Sequence, residues 1–253
     1  MIRWDLRKIV NYKLLQGDCL ELLGEVRSKS IDLILCDLPY GTTKNKWDKV
    51  IDLDKLWEHY KRIIKDNGAI VLFSQQPFSA KLIESQPKMF RYEWIWEKEQ
   101  GTGFLNAKKM PLKSHENILV FYKKPPVYNP QMRTGFKPYK TKQKSAGSNY
   151  DKSKSVVTIS NGERYPLDII RFKRDSNSKK VHPTQKPVAL LEYLIKTYTN
   201  EGDTVLDNCM GSGSTGVAAL NLNRKFIGIE LDEHYFNTAK KRIEETTAKV
   251  VSE

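Results

Sequence analysis

The chain has 253 residues, of which 39% are hydrophobic, and a formal net charge of +13. That excess of cations indicates a polyanionic partner, and the length suits one α/β domain with a long insertion. No apolar stretch approaches the about 20 residues of a membrane span and no signal peptide is evident, so we expect a cytoplasmic protein rather than a membrane or secreted one. We also expect buried thiols rather than disulfides, and no metal site, because the four histidines are scattered and the cysteines are only Cys19, Cys36 and Cys209.

Strand and helix patterns alternate along the chain. In chain order they predict strands at 12–15, 31–36, 69–73, 92–96, 118–122, 204–207 and 225–230. They predict helices at 53–65, 78–84, 188–197 and 234–247, and a further helix that begins at residue 217. A turn at Asn67 and Gly68 is expected before the third strand. Alternation of this kind predicts an α/β protein with a doubly wound, mostly parallel sheet, whose ligands bind beyond the carboxyl ends of the strands.

A short turn after the strand at 31–36 combines a carboxylate, a proline and an aromatic ring, in the order Asp37, Leu38, Pro39 and Tyr40. Proline fixes its own φ and keeps the preceding residue out of the α region, so the turn holds its carbonyl groups in place. The Asp37 carboxylate and a carbonyl of Leu38 or Pro39 can accept both hydrogens of one NH2 group while Tyr40 stacks on its ring. This arrangement favours attack by an exocyclic amine, although ordinary strand-to-turn junctions use the same residue types.

A second motif lies in the last quarter of the chain. Gly211, Gly213 and Gly216 have the spacing G-x-G-x-x-G between a predicted strand and a predicted helix. The next strand ends in Glu230, 17 positions after Gly213, close to the roughly 20 expected for a carboxylate that binds ribose hydroxyls. The pattern predicts a nucleoside site, with a plain strand-turn-helix of an α/β core as the simpler alternative.

The acid before these glycines helps to choose the ligand. Asp207 would repel the pyrophosphate of a dinucleotide, but it can pair with an ammonium group. S-adenosylmethionine has a ribose, an adenine, an amino-acid tail and a sulfonium, and no phosphate. The motif therefore favours S-adenosylmethionine over NAD.

The positive charge is concentrated in residues 123–180, which hold 15 Lys or Arg against 4 Asp or Glu. Prolines at 125, 126, 130 and 138 and interleaved aromatic residues indicate an insertion that contacts DNA, with short strands or turns at 156–159 and 167–172 anchoring it to the core. A solvated loop without a partner is the alternative. The candidate DNA-binding cations here are Arg133, Lys137, Lys140, Lys142 and Lys144. We accordingly divide the chain into residues 1–122 and 181–253, two halves of one core, and the insertion at 123–180.

With the aspartate turn before the glycine turn, the chain resembles the beta group of DNA amino-methyltransferases. The resemblance covers most of the chain and extends to residues 17–19, 115–121 and 182–187. It implies a Rossmann-like methyltransferase fold, double-stranded DNA as partner, S-adenosylmethionine as cofactor, and a homodimer as one assembly found in the family. It also implies a link to restriction-modification.

The resemblance also implies roles for individual residues. The turn of Asp37, Leu38, Pro39 and Tyr40 would hold the target amine. Apart from the resemblance, the loop at 42–49 follows this turn directly, so we expect it to close over the flipped base with Lys44, Lys46 and Trp47. The cofactor would be held by Asp18, Thr184, Lys186, Asp207, Gly211, Ser212, Gly213, Thr215 and Glu230. Within this set, Asp18 would lie at the adenine, Glu230 at the ribose, and Thr184 and Lys186 at the carboxylate. The chain departs from the family at Leu38, usually proline, and at Cys209, often phenylalanine.

These features predict methyl transfer to N6 of adenine in DNA, after the base has been flipped out of the duplex. The N4 amine of cytosine is an alternative because it offers the same NH2 group. Two alternatives come from other classes: an NAD-dependent oxidoreductase, and a DNA-binding module without catalysis.

Overall fold

A computed structural model describes residues 11–41, 49–143, 156–173 and 185–252. Five of the predicted site residues lie outside the described residues, namely Lys44, Lys46, Trp47, Lys144 and Thr184. None of the helices in the described ranges is long and apolar enough to cross a bilayer.

Eight of the described strands form one sheet. Its members are β1 (Tyr12–Gln16), β2 (Ile31–Asp37), β3 (Ile64–Ser74), β4 (Phe90–Thr102), β5 (Lys113–Phe121), β8 (Ile169–Arg171), β9 (Thr204–Asp207) and β10 (Lys225–Glu230). They lie in the order β1-β10-β9-β2-β3-β5-β4-β8, and only β5 runs antiparallel to its neighbours. The predicted doubly wound, mostly parallel sheet is confirmed.

Helices cover both faces of this sheet. They are α1 (Cys19–Leu22), α2 (Leu53–Ile63), α3 (Phe78–Ser85), α4 (Val188–Tyr198), α5 (Ser214–Asn221) and α6 (Glu233–Ser252). Side chains alternate along a strand, so Leu33 and Leu35 of β2 join one buried cluster with α4, α5 and α6. Ile34 and Cys36 point the other way, into a second cluster with α2 and α3. Burial on both faces explains why β2 reads as a continuous apolar run.

The structure corrects the predicted turn at Asn67 and Gly68. Helix α2 ends at Ile63, and β3 begins at the next residue and continues through both turn residues. Ile31 pairs with Ile64, whereas Leu33 already pairs with Ala69, so the extra residues are absorbed as an irregularity in the strand pairing.

Residues 130–167 form a compact unit separate from the one made of residues 1–129 and 168–253. Its described part contains β6 (Tyr139–Gln143) and β7 (Val156–Ser160), which pair antiparallel. Of the two short strands expected to anchor the insertion, β8 pairs with β4 in the large sheet, whereas β7 pairs with β6.

Candidate active site

Three carboxylates end three adjacent strands of the sheet. Asp37 ends β2, Asp207 ends β9 and Glu230 ends β10, and these strands are neighbours and parallel. Their side chains line one cavity of about 920 Å³. The cavity also receives most of the other predicted catalytic and cofactor residues, namely Asp18, Leu38, Pro39, Tyr40, Lys186, Gly211, Ser212 and Thr215. The structure thus brings the aspartate turn and the glycine turn to one site.

The aspartate turn is fixed by its side chains as well as by its proline. Leu38 is buried in the cluster under α2, so the residue that replaces the family's proline anchors the turn to the core. Tyr40 donates a 2.5 Å hydrogen bond to Oδ1 of Asp37, and its ring packs on Phe78 with centroids 5.4 Å apart. Tyr40 therefore orients the carboxylate while also lining the cavity.

Lys186 occupies the other oxygen of the same carboxylate. Its Nζ donates to Oδ2 of Asp37 at 2.5 Å and lies 3.2 Å from Oε2 of Glu116. Lys98 pairs with the other Glu116 oxygen, Oε1. The structure places the Lys186 ammonium between the half-buried carboxylate of Asp37 and the buried carboxylate of Glu116, at the wall of the cavity. Its contact with the cofactor carboxylate, which the resemblance implies, stays a prediction.

The pKa directions follow from this chain of alternating charges. Burial raises the pKa of Asp37, although the ammonium of Lys186 opposes the rise. Burial also acts to raise the pKa of Glu116, but the ammoniums of Lys186 and Lys98 outweigh it and hold that pKa below its usual value. For Lys186, the two carboxylates outweigh burial and raise the pKa. The cluster is a set of mutually compensating charges in a mostly dehydrated place.

At the glycine turn, Asp207 is held by its own loop. It accepts hydrogen bonds from the Cys209 backbone N–H at 3.1 Å and from Oγ1 of Thr215 at 2.7 Å. Burial raises the pKa of Asp207 to about 6. A buried carboxylate with this pKa would be stabilised by a cationic ligand group.

Glu230 closes the neighbouring end of the cavity. Its two oxygens accept backbone N–H bonds from Gly211 at 2.8 Å and Asp232 at 2.9 Å. Each carboxylate oxygen has a second lone pair, so Glu230 can still accept from ligand hydroxyls. Asp18 caps α1 by accepting from the Leu20 N–H and also faces the cavity.

The glycine turn needs its glycines for two reasons. Gly211 and Gly213 have φ of +51° and +78°, in the left-handed region. A Cβ on Gly213 would also lie 2.9 Å from the Cβ of Ala239 in α6. Gly213 precedes α5 and does not line the cavity, so its part in the site is to shape the turn.

Several site features were missed by the sequence analysis. Lys98 and Glu116 lie two positions from the buried Trp96 and Ile118, on the same faces of β4 and β5, and this alternation was the available signal. Arg242 of α6 donates to the Ser212 carbonyl and has no comparable signal. Cys19 and Cys36 are buried as expected, but Cys209 is half-buried and lines the cavity with Cys19.

The described candidate DNA-binding cations lie in the 130–167 unit. Arg133 donates to the Tyr165 carbonyl and stacks on Phe136, so it has partners within that unit. The side chains of Lys137, Lys140 and Lys142 are exposed, and the last two share one face of β6.

A family model described as DNA methylase, of the N6 and N4 type, matches residues 31–241. Type II methyltransferase M1.MboII of Moraxella bovis is 31% identical over 256 residues, covering 90% of this chain and 94% of that protein. Type II methyltransferase M.HpaI of Haemophilus parainfluenzae is 29% identical, covering 93% and 75%. DNA adenine methyltransferase YhdJ of Escherichia coli K12 is 29% identical, covering 91% and 82%.

Solved structures agree with this match. The M1.HpyAVI–SAM complex superposes with a TM-score of 0.64 at 26% identity, covering 92% of this chain and 98% of that one. The cytosine-N4-specific PvuII DNA methyltransferase superposes with a TM-score of 0.67 at 17% identity, covering 96% and 93%, and shows the shared fold. The matched family model and these relatives show that the chain belongs to the beta group of N6-adenine and N4-cytosine DNA methyltransferases.

Proposed function

We propose that this DNA methyltransferase acts on N6 of adenine in double-stranded DNA, and that it flips the base out of the duplex. The observation that carries the proposal is the Asp37 carboxylate, held by Tyr40 and Lys186 at the wall of the cavity that Asp207 and Glu230 also line. Adenine is favoured because aspartate-led turns accompany adenine more often in the family. YhdJ, named a DNA adenine methyltransferase, supports the same choice.

S-adenosylmethionine, the cofactor of this family, supplies a methyl group activated by a positively charged sulfur. The described cavity residues fit its chemistry, because its hydroxyl, amino and ammonium groups are donors and the glycine end of the cavity offers carboxylates. Glu230 would accept from the ribose hydroxyls and Asp207 would pair with the ammonium group. Asp18 would accept at the adenine side. Occupation by an ammonium would also relieve the buried charge of Asp207.

Asp37 would hold the target amine without giving up its present partners. Tyr40 and Lys186 each use one lone pair on a different carboxylate oxygen, which leaves one on each oxygen. One amine hydrogen would go to Asp37 and the other to a carbonyl of Leu38 or Pro39, so that the nitrogen lone pair faces the methyl group. The amine proton becomes acidic only as the new bond forms, so Asp37 needs to accept a hydrogen bond rather than act as a strong base.

Base flipping follows from where the amine lies. In duplex DNA it is paired inside the stack and cannot reach a carboxylate in the cavity wall. Tyr40 lines the cavity and offers an aromatic surface for the flipped base. The exposed lysines of the 130–167 unit would neutralise DNA phosphates, which predicts salt-dependent binding.

The test is to express the chain in a host that lacks adenine and cytosine methylation, digest its DNA and identify the nucleosides by mass spectrometry. N6-methyladenine is expected, and Asp37→Ala should abolish it. Detection of N4-methylcytosine in place of N6-methyladenine would reject the adenine assignment. The absence of both methylated nucleosides would reject methyltransferase activity in this host. Sequencing of the methylated positions would give the recognition sequence from the same DNA.

A further inference from the structure

The connection between β4 and β5 exposes an unusual apolar surface. Residues 103–112, here called the apolar turn, carry Phe104, with 80% of its surface exposed, and Leu105, fully exposed. Met110 is also more than half exposed. Large apolar side chains exposed next to one another indicate a surface with a partner.

The apolar turn is ordered by its own hydrogen bonds. Phe104 begins a single 3-10 turn after Gly103, whose φ is +91°. The N–H groups of Asn106, Ala107 and Lys109 donate to carbonyls three residues earlier. At its base, Thr102 pairs with Lys113. Phe104 and Leu105 therefore project from a preformed support, which lowers the entropic cost of inserting them into a partner.

The charge around the apolar turn selects the partner. Residues 103–113 contain Lys108, Lys109 and Lys113 and no acidic residue. Apolar side chains flanked by cations match nucleic acid, in which stacked bases lie between phosphates. A second copy of this chain fits less well, because Lys108, Lys109 and Lys113 of the two copies would face each other.

The apolar turn also begins at the site. Thr102 lines the active cavity, and Leu105 is three residues further along the chain. Three residues span at most about 11 Å, less than the roughly 12 Å width of the major groove. A duplex with its target base in the cavity would therefore pass within reach of Leu105.

From these observations we propose that the apolar turn is a DNA wedge. Phe104 and Leu105 insert into the base stack beside the target and fill space vacated by the flipped base, while Lys108 and Lys109 contact the adjoining phosphates. The wedge offsets the cost of unstacking, so it acts on opening of the base pair and not on methyl transfer. This inference rests on the proposed base flipping.

The test uses the full chain and two synthetic duplexes that carry the mapped recognition sequence. One is fully paired, and the other has an abasic site opposite the target base, so that no base pair has to be opened. For Leu105→Ala and for the double variant Phe104→Ala with Leu105→Ala, we expect methylation of the paired duplex to fall about tenfold or more. The abasic duplex should be methylated within about threefold of the wild-type rate. Leu105→Met keeps an apolar side chain of similar size and should retain activity on both.

Other results would overturn the wedge. The wedge is overturned if the variants lose methylation rate equally on both duplexes, or lose none on either. The proposed function would stand in both cases, as long as the wild type methylates both duplexes. A wild-type protein inactive on both would instead count against the proposed function. Sedimentation of the proteins without DNA tests whether a second copy of the chain covers the apolar turn instead. A wild-type dimer that Leu105→Ala converts to a monomer would show that it does. Unchanged calorimetric binding of S-adenosylmethionine shows that each variant is folded.

Discussion

Lys186 Nζ lies 2.5 Å from Oδ2 of Asp37, and this contact joins the segment before α4 to the turn after β2. Only 9% of the Lys186 side chain is exposed, against 25% for Asp37, so the cation is the more deeply buried partner. The family resemblance would use Lys186 on the cofactor. In the structure it neutralises and orients the carboxylate proposed to hold the target amine.

Replacing Lys186 by methionine separates these two roles. Lys186 lowers the pKa of Asp37, so its removal should raise that pKa further and move the acidic limb of the kcat profile to higher pH. Lys186→Arg keeps the charge and should leave the limb nearly in place. If Lys186→Met instead raises KM for S-adenosylmethionine and the acidic limb does not move, the lysine acts on the cofactor.

Removing the carboxylate itself tests the amine-holding role. If one preorganised hydrogen-bond acceptor contributes as much as one oxyanion-hole donor, Asp37→Ala should slow single-turnover methylation by at least about 10²-fold. Tyr40→Phe keeps the ring and removes only the hydroxyl bonded to Asp37, so its loss should be smaller. Near-normal single-turnover methylation by Asp37→Ala would exclude the assigned role.

The buried pair of Lys98 and Glu116 predicts a stability effect distinct from catalysis. Their side chains are 2% and 7% exposed, so Lys98→Met leaves a buried carboxylate with one cation fewer and should cost about 3–5 kcal/mol of unfolding free energy. Adding Glu116→Gln should recover part of this loss, measured by chemical denaturation as a double-mutant cycle. Additive losses would mean that the pair is not coupled.

The same pair has a pH signature. The folded pKa of Glu116 lies below its usual value, so its stabilising contribution is present above the ordinary glutamate pKa and is lost as pH falls through the folded value. In Glu116→Gln, this part of the acid-induced loss of stability should disappear. If the free energy of unfolding of Glu116→Gln changes with pH in the acid range as steeply as that of the wild type, Glu116 does not make this contribution.

The sequence predicted those parts of the site that are formed by residues close together along the chain. The turn after β2 and the glycine turn after β9 are local patterns, and parallel strand order brings their ends together. The charge cluster escaped prediction because Lys98, Glu116 and Lys186 come from β4, β5 and the segment before α4, and no local pattern joins them. The course of β3 through Gly68 escaped for a similar reason, since pairing with β2 overrides the local turn preference.

Asp207 predicts how cofactor binding depends on pH. Its pKa of about 6 exceeds the usual aspartate value, so the folded protein holds this proton more tightly than the unfolded chain. Asp207 therefore lowers stability as pH rises from about 4 to about 6, and an ammonium partner would reverse that penalty. The affinity for S-adenosylmethionine should weaken below pH 6, by up to about tenfold per pH unit.

Calorimetric titrations between pH 5 and 8 measure this effect, with Asp207→Asn as the matched control. The variant should bind S-adenosylmethionine more weakly at pH 7.5, with little pH dependence, and the free variant should be more stable than the wild type at that pH. An equal pH dependence in both proteins would assign the titration to another group, for example Glu230, whose pKa burial also raises.

Two glycines of the cofactor turn provide a matched pair for the last prediction. Gly211 and Gly213 both have positive φ, so alanine at either should cost about 1–2 kcal/mol of backbone strain. Apart from atoms of Gly211 and its two chain neighbours, no described atom lies within 4 Å of a Cβ placed on Gly211, whereas one on Gly213 would lie 2.9 Å from the Cβ of Ala239. Gly213→Ala should therefore be the less stable variant, because α6 must move away from the turn.

Thermal unfolding of the two variants without ligand measures the difference directly. Gly211 also donates its N–H to Glu230, and alanine keeps that group, so Gly211→Ala should still bind S-adenosylmethionine. Gly213→Ala should lose both stability and affinity, since displacement of α6 would carry Arg242 away from the Ser212 carbonyl. Equal melting temperatures for the two variants would show that the packing of α6 against the turn does not discriminate between the glycines.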